Sequence, residues 1–565
     1  MALIFAIVLM ILIMGFLAVF TVSSIMSRDE RQTERGRMQS EIWSDAAANA
    51  IAARLESGEL GYQAAPVTVA GVPGRILYPK VAGVTASHGS GSCGPAFPIT
   101  TSNGGKGWYC VRPPAAGLPA GTGFLNLAPT DPRHGSVTFV VRAWGTVGSV
   151  RPIDVELTFG RQTLSRFAVL SDSPIYLDKT VGAGSLVLPA GARIHSNNTS
   201  NSSYGVYISG NVNFAAASRI TATRAKTGTA VQSTSGAASC PNGNKCYVSG
   251  KTVSFNSTYT AFNRIAKADP SGTCASPFRM CRVLYSNIFP AAANGTMPMF
   301  YVDVSQTCVR YRRARFPLRQ DSLSYPLVDD SQAPTFYGGY STKCPETGGG
   351  AMMFEGDVIL TGTRPLNSPP VTVMARRPQN IASQTVRLPG SGNVAQISES
   401  ASIYLLPSPG GGSSGTIGGS GSGPSQSALG VVAEGGVYIP TVYANGNLTI
   451  RKASLIAAGS GFSLGPSFQQ VAGDTGVVDQ SGTEISAGGI DPCSPSAGLP
   501  VGGSFVFAGT FASRQVPFLN YVRGSCAKGY TNRTYQFDTE LGWNPPPFFP
   551  APSSWHLVDS RVFNT

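Results

Sequence analysis

The chain has 565 residues, 42% of them hydrophobic and only 13% charged, with 67 Gly and 41 Pro. That balance argues against a helical enzyme and predicts a β-rich, turn-rich body, and the length suggests roughly two to four domains. The net charge of +13 suits an acidic partner, whether nucleic acid, anionic lipid or acidic polysaccharide, without choosing among them.

The stretch Met1 to Met26 carries no charged side chain and is apolar apart from Gly15, Thr21, Ser23 and Ser24. As a helix it reaches ~39 Å, enough for a bilayer core of ~30 Å. The expectation is a single-pass inner-membrane helix with the soluble part outside the cytoplasm. A cleaved signal peptide is the alternative, but it needs a basic start and a shorter apolar run. From Arg28 to Glu56 the helix continues, with Trp43, Ala47, Ile51 and Leu55 recurring every fourth residue, and Arg37 one turn from Glu41. Arg28, Arg31, Arg35 and Arg37 conflict with export, because the positive-inside rule holds such a cluster in the cytoplasm. A basic leader ahead of Met1 would reverse that bias.

Short strands are expected at Val67–Val69, Arg75–Tyr78 and Trp108–Arg112, with stronger ones at Ser136–Trp144 and Ile153–Phe159. In the last, Ile153, Val155, Leu157 and Phe159 face one way while Asp154, Glu156 and Thr158 face the other. From about Phe167 the texture changes to brief β-branched stretches between Gly, Asn, Ser and Pro. Gly205–Ile208 followed by Gly210–Phe214 matches Gly436–Ile439 followed by Gly446–Ile450; Gly356–Leu360 and the weaker Gly392–Gln396 repeat the second element. A Gly-Asn or Gly-Asp corner launching a short apolar strand is the unit of a β-solenoid, with a sandwich of ordinary hairpins as the alternative. Pro407–Ser427 reads as a flexible surface loop. Thr534–Phe537 and Trp555–Val562 read as strands around the proline-rich Trp543–Pro552, and the last of them needs a sheet to join. The early sheet is the expected host. The predicted organisation is a helix (1–56), a sheet domain (57–166), an inserted solenoid (167–480) and a C-terminal segment (481–565) returning to the sheet.

Ten cysteines occur without any C-x-x-C, and there are four histidines, so zinc or iron–sulfur spacing is missing and no cofactor is expected. An even set on an exported chain reads as disulfides. Sequence leaves connectivity open; neighbour pairing would join Cys93–Cys110, Cys240–Cys246, Cys274–Cys281, Cys308–Cys344 and Cys493–Cys526.

The apolar run Leu3–Met14, Gly15, the polar stretch Ser27–Glu41 and the sheet that follows resemble type IV pilin-like proteins, in particular minor pilins of the PilX/GspK type. The glycine-rich insert and the triple-proline tail resemble the solenoid-bearing minor pilins of competence systems. That resemblance implies a long N-terminal α-helix on an antiparallel sheet with a large inserted β-solenoid. It also implies other pilins and the inner membrane as partners, and a leader cut by a prepilin peptidase. Met1, Phe5 and Gly15 then fall in the filament-assembly segment. Major pilins carry Glu at the fifth mature position; with Met1 as the first mature residue that place holds Phe5, which favours a tip or minor subunit.

The candidate ligand surface is Arg310, Tyr311, Arg312, Arg313, Arg315 and Phe316, with Arg319 nearby. Arginines pair with phosphates and interleaved aromatics stack on bases, which points to double-stranded DNA and uptake. A solvated basic edge that blocks aggregation is the alternative. Arg376-Arg377, and Arg219, Arg224 and Lys226, would extend the patch if the coil stacks them together. A surface adhesin or acidic-polysaccharide lyase is the other functional reading, but the closest carboxylate pair, Asp329-Asp330, suits a turn better than catalysis. Catalytic motifs are absent and no catalytic residue is assigned.

Overall fold

The computed structural model describes residues 2–57, 60–62, 67–69, 71–79, 93, 96–102, 104–113, 120–126, 136–145, 153–160, 163–177, 186–188, 192–201, 203–208, 212–214, 218–225, 230–233, 240, 245–289, 295–318, 328–378, 385–387, 394–396, 400–421, 427–459, 462–464, 502–514, 520–523, 526–530, 532–543, 545–551 and 556–563. Met1, Arg319 and Cys493 lie outside the described residues, as do the side chains of 2–4, 18–19, 22, 24–41 and Cys526. The chain is mainly β, in several sheets, and divides into two compact units: Met1–Arg161 with Ser554–Thr565, and Gln162–Ser553.

In the first unit a helix spans Ala2–Ser57. Among the described residues no helix is long and apolar enough to cross a membrane. The predicted span, Met1 to Met26, falls partly on residues outside that description. The helix's second half uses its every-fourth-residue face as expected. Ala47, Ile51 and Leu55 are buried against Phe97, Tyr109, Val137, Phe139, Val155, Leu157 and Phe159. The host is an antiparallel sheet in which Val137–Gly145 pairs with Ile153–Gly160 on one side and Lys106–Arg112 on the other.

Trp43 explains two glycines in that sheet. Gly107 and Gly145 are direct cross-strand partners. A Cβ on Gly145 would lie 2.6 Å from the indole, and one on Gly107 would also strike it. Removing both side chains makes a flat seat for the ring. The terminal strand, His556–Phe563, pairs antiparallel with Ile153–Gly160, the host its apolar residues required. Alternation along Ile153–Gly160 holds for Val155, Leu157 and Phe159, but the other face is not open to water: Asp154 and Thr158 are buried too.

The second unit is built from parallel strands that alternate between sheets. The chain passes from Gly350–Glu355 in a 14-stranded sheet to Val358–Thr361 in a 7-stranded one, back to Val371–Arg376, then to Ile403–Leu406, Leu429–Ala433, Val437–Ile439 and Leu448–Ala457. Each strand pairs in parallel with its counterpart one circuit later, as Val358↔Ile403 and Gly350↔Val371. Inward residues of both sheets, among them Phe300, Phe354, Val358, Ile403, Val431, Val437 and Leu455, share one core. Two sequence readings are corrected here. Val394–Gln396, the weaker repeat, pairs antiparallel with Thr385–Arg387 and joins neither large sheet. Gly415–Gly418, expected in a flexible loop, is a strand parallel to Leu448–Arg451; one buried side chain, Ile417, ties it to the core, and glycines at 415 and 418 permit the close approach.

The circuit has an unusual order. Val169–Ser171 lies mid-sheet, and later strands Arg193–Ser196, Arg219–Ala222 and Lys245–Val248 are added outward from it. The chain resumes at the opposite end with Met280–Val283 and coils back until Ser504–Ser513 pairs with Val169–Ser171. The helix Ser257–Ala268 belongs to the connection, and its Phe262 and Ile265 pack on the outer face of the large sheet. Chain start and finish therefore meet, with Leu164 N–H donating to Pro550 O at 3.2 Å. The return to the first unit falls at Ser554 rather than near 481, because Asn532–Phe537 pairs in parallel with Ser504–Ser513 inside the second unit. Among the described residues four disulfides join Cys93–Cys110, Cys240–Cys246, Cys274–Cys281 and Cys308–Cys344.

Candidate binding surface

The arginine-rich segment forms the strand Val309–Pro317, held between Thr296–Asp303 and Thr335–Lys343 in antiparallel register. The last of these is the sheet's edge, and the Cys308–Cys344 bond lies next to the Val309↔Lys343 pair. Strand periodicity puts Arg310 and Arg312 on one face and Tyr311, Arg313 and Arg315 on the other, as expected. The aromatic part of the expectation is overturned. Tyr311 is buried with its ring 5.5 Å from Phe354, and Phe316 is fully buried against Tyr404 at 5.5 Å. Both face packed layers on the two sides of the sheet, so neither can stack on a ligand.

The arginines also differ among themselves. Arg310 donates from Nη2 to Asp303 Oδ2 at 2.6 Å, and Asp303 is completely buried. The same guanidinium lies 4.6 Å from the Tyr340 ring centre. Arg312 sits among three rings, 5.1 Å from Tyr301, 4.8 Å from Phe336 and 4.5 Å from Tyr340. These are cation–π distances, at which the ring attracts the guanidinium charge without using up its N–H donors. The Nε atoms of Arg310 and Arg312 have no hydrogen-bond partner among the described residues. On the other face Arg313 is exposed, and Arg315 lies 5.2 Å from the Tyr337 ring centre.

The exposed aromatics are thus on the edge strand, which sequence reading passed over. Tyr337 and Tyr340 are 40% and 38% exposed. Gly338-Gly339 between them lies in a register shift opposite Tyr311–Arg313, and Gly338 has φ +73°, a conformation that favours glycine. The run Thr335–Lys343, read as TFYGGYSTK, carried the signal: two tyrosines around a glycine pair, just after the arginines.

The other named groups separate. Arg219 lies in the 14-stranded sheet, not the sheet of Arg310, and Arg376 contacts Asn263 and Phe262 of the covering helix. Asp329 accepts bonds from Ser331 and Gln332 in a turn, while Asp330 is buried and accepts the Thr441 N–H at 3.0 Å. His195 is buried between Thr221 Oγ1 at 2.8 Å and Asn197 Oδ1 at 3.0 Å. Asn197 Oδ1 also accepts the Val253 N–H. An amide oxygen can only accept, so Nε2 carries the proton and Nδ1 accepts from Thr221. Burial lowers the His195 pKa and keeps the ring neutral.

Comparison with protein-family profiles, curated proteins and solved structures finds no match for this chain.

Proposed function

We infer that this chain is a minor subunit of a type IV pilus-like filament, with the parallel coil of its second unit acting as a β-solenoid presented outside the cell. One observation carries the reading. In the helix Ala2–Ser57, apolar side chains from Phe5 to Leu17, and Phe20, are at least half exposed, Phe5 at 73% and Phe20 at 71%, while Ala47, Ile51 and Leu55 are buried on the sheet. A continuous exposed apolar surface needs lipid or neighbouring helices around it. An assembly helix alternates between those two, with the inner membrane before assembly and other pilins after it. A prepilin peptidase is the expected processing enzyme. The test is cysteine substitution at Leu9 and Phe16 with cross-linking in the native host. The expected result is detergent-extractable protein before assembly and cross-links to other filament subunits after it. A protein released by salt alone, with no cross-link and unchanged filaments on deletion, would overturn the reading.

The face of Arg313 and Arg315 supports double-stranded DNA as its ligand. Their guanidiniums supply phosphate contacts, and exposed Tyr337 supplies apolar surface beside them. Arg313→Ala with Tyr337→Ala should weaken duplex binding about tenfold and lower the salt slope by roughly 1. Unchanged binding in that variant, with an acidic polysaccharide binding instead, favours the adhesin reading.

A further inference from the structure

A second group of cations lies in the other sheet. Arg193 and Arg219 are register partners on adjacent parallel strands, and the same ladder continues to position 245, a lysine. Neighbouring strands lie ~4.8 Å apart. Ile194, Ile220 and Cys246 belong to the core, so the alternate positions 193 and 219 project from the opposite face. The charges of Arg193 and Arg219 are also felt by Arg166, at the end of the short turn Leu164–Arg166. Burial first, then the charges of Arg193 and Arg219, press its pKa down to about 9. Burial and Arg219 lower Arg193 as well, while Tyr247, exposed beside the column, acts in the other direction.

Like charges in register oppose strand pairing. Elsewhere in this unit several cations meet carboxylates: Arg282 with Glu355, Arg310 with Asp303, Lys452 with Asp538 and Arg514 with Asp172. Among the described residues no carboxylate forms an ion pair with Arg193 or Arg219. Arg193 is half-buried and Arg219 exposed, so an anion has access to the pair from the Arg219 side. Forked donors at strand spacing suit a group offering several oxygens in different directions.

We propose that Arg193 and Arg219, register partners on adjacent strands, form a binding site for a tetrahedral oxyanion, a sulfate or phosphate group. This site lies in the 14-stranded sheet, whereas the Arg310–Arg315 surface lies in the 7-stranded one. It does not depend on the filament or DNA readings. The oxyanion can be free or borne on a sulfated glycan.

The test is thermal unfolding of the full chain in sodium sulfate, sodium phosphate and sodium chloride at matched ionic strength. Sulfate and phosphate should raise the midpoint beyond chloride. Arg219→Gln, at an exposed position, should remove at least half of that rise, whereas Arg313→Ala should leave it intact. Arg193→Gln should raise the midpoint without added anion, by relieving repulsion, and abolish the response to sulfate. A sulfated tetrasaccharide that outperforms sulfate at equal sulfate concentration identifies a glycan-borne group; equal performance identifies a free ion. An ionic-strength effect only, with chloride as effective as sulfate, overturns the proposal. So does an undiminished rise in Arg219→Gln, or a response to duplex DNA with none to sulfate or phosphate.

Discussion

Asp154 is 3% exposed and holds two guanidiniums, Arg112 and Arg142, the latter at 2.8 Å. Burial alone would raise its pKa, but the hydrogen bonds and charges of Arg142 and Arg112 outweigh that and hold it below the usual carboxylate value. A depressed acid pKa contributes stability that is present above the unfolded value of ~3.9 and lost as pH falls through the folded value. Asp154→Asn removes the carboxylate that these two half-buried cations share. It should cost the first unit about 3 kcal/mol in urea unfolding at neutral pH and remove part of its acid sensitivity below ~pH 4. Asp357 behaves oppositely. It is buried, accepts the Ser402 N–H at 2.8 Å, and burial raises its pKa to about 7. Its folded state holds the proton more tightly than the unfolded chain, so its contribution is full below ~pH 4 and declines as pH rises towards about 7. Asp357→Asn should stabilise the second unit at pH 8 relative to pH 5, flattening a wild-type slope on the order of 1 kcal/mol per pH unit. A steeper slope in the variant would contradict this assignment.

Among the elements, the Trp43 seat and the arginine strand mark where sequence was and was not legible. Periodicity identified the buried helix face and Val155, Leu157 and Phe159, because each residue meets its partners at a fixed spacing. It did not identify Gly107 and Gly145, whose role depends on a ring 64 residues before Gly107 in sequence. Gly145→Ala should lift the indole, destabilise the first unit by about 1–3 kcal/mol and shift Trp fluorescence. For Val309–Pro317, composition located the charge and alternation divided the arginines correctly. Neither could tell that both faces are covered, which buries Tyr311 and Phe316 and moves the exposed aromatics to the edge strand. Arg310→Ala should therefore behave as a folding variant, costing about 3 kcal/mol by leaving Asp303 buried and unpaired, and is a poor probe of binding. Reduction of Cys308–Cys344, in turn, should loosen the edge strand and weaken duplex binding with the arginines unchanged; equal affinity before and after reduction would refute that dependence.

At the scale of the molecule, the insertion was visible in sequence through a change of texture and an apolar last strand. The circuit order was not, because register partners such as Val169 and Phe511 are separated by most of the second unit. That order has a consequence. His556 and Gly160 are register partners in the first unit, so the two chain ends at the junction stand one strand spacing apart, ~5 Å. In the second unit Leu164 and Pro550 are hydrogen-bonded. Each unit thus closes its own ends, and neither relies on the other to hold its junction together. Replacing Gln162–Ser553 with about four Gly/Ser residues costs little loop-closure entropy, since the gap already fits a tight connection. With the apolar start of the helix also removed, the shortened first unit should unfold cooperatively, keep the Cys93–Cys110 bond and retain Trp43 burial by fluorescence. The excised segment should give its own cooperative transition with Cys240–Cys246, Cys274–Cys281 and Cys308–Cys344 intact. If either piece melts without a transition, core contacts within each unit are not enough for folding, and the insertion is a structural part of its host.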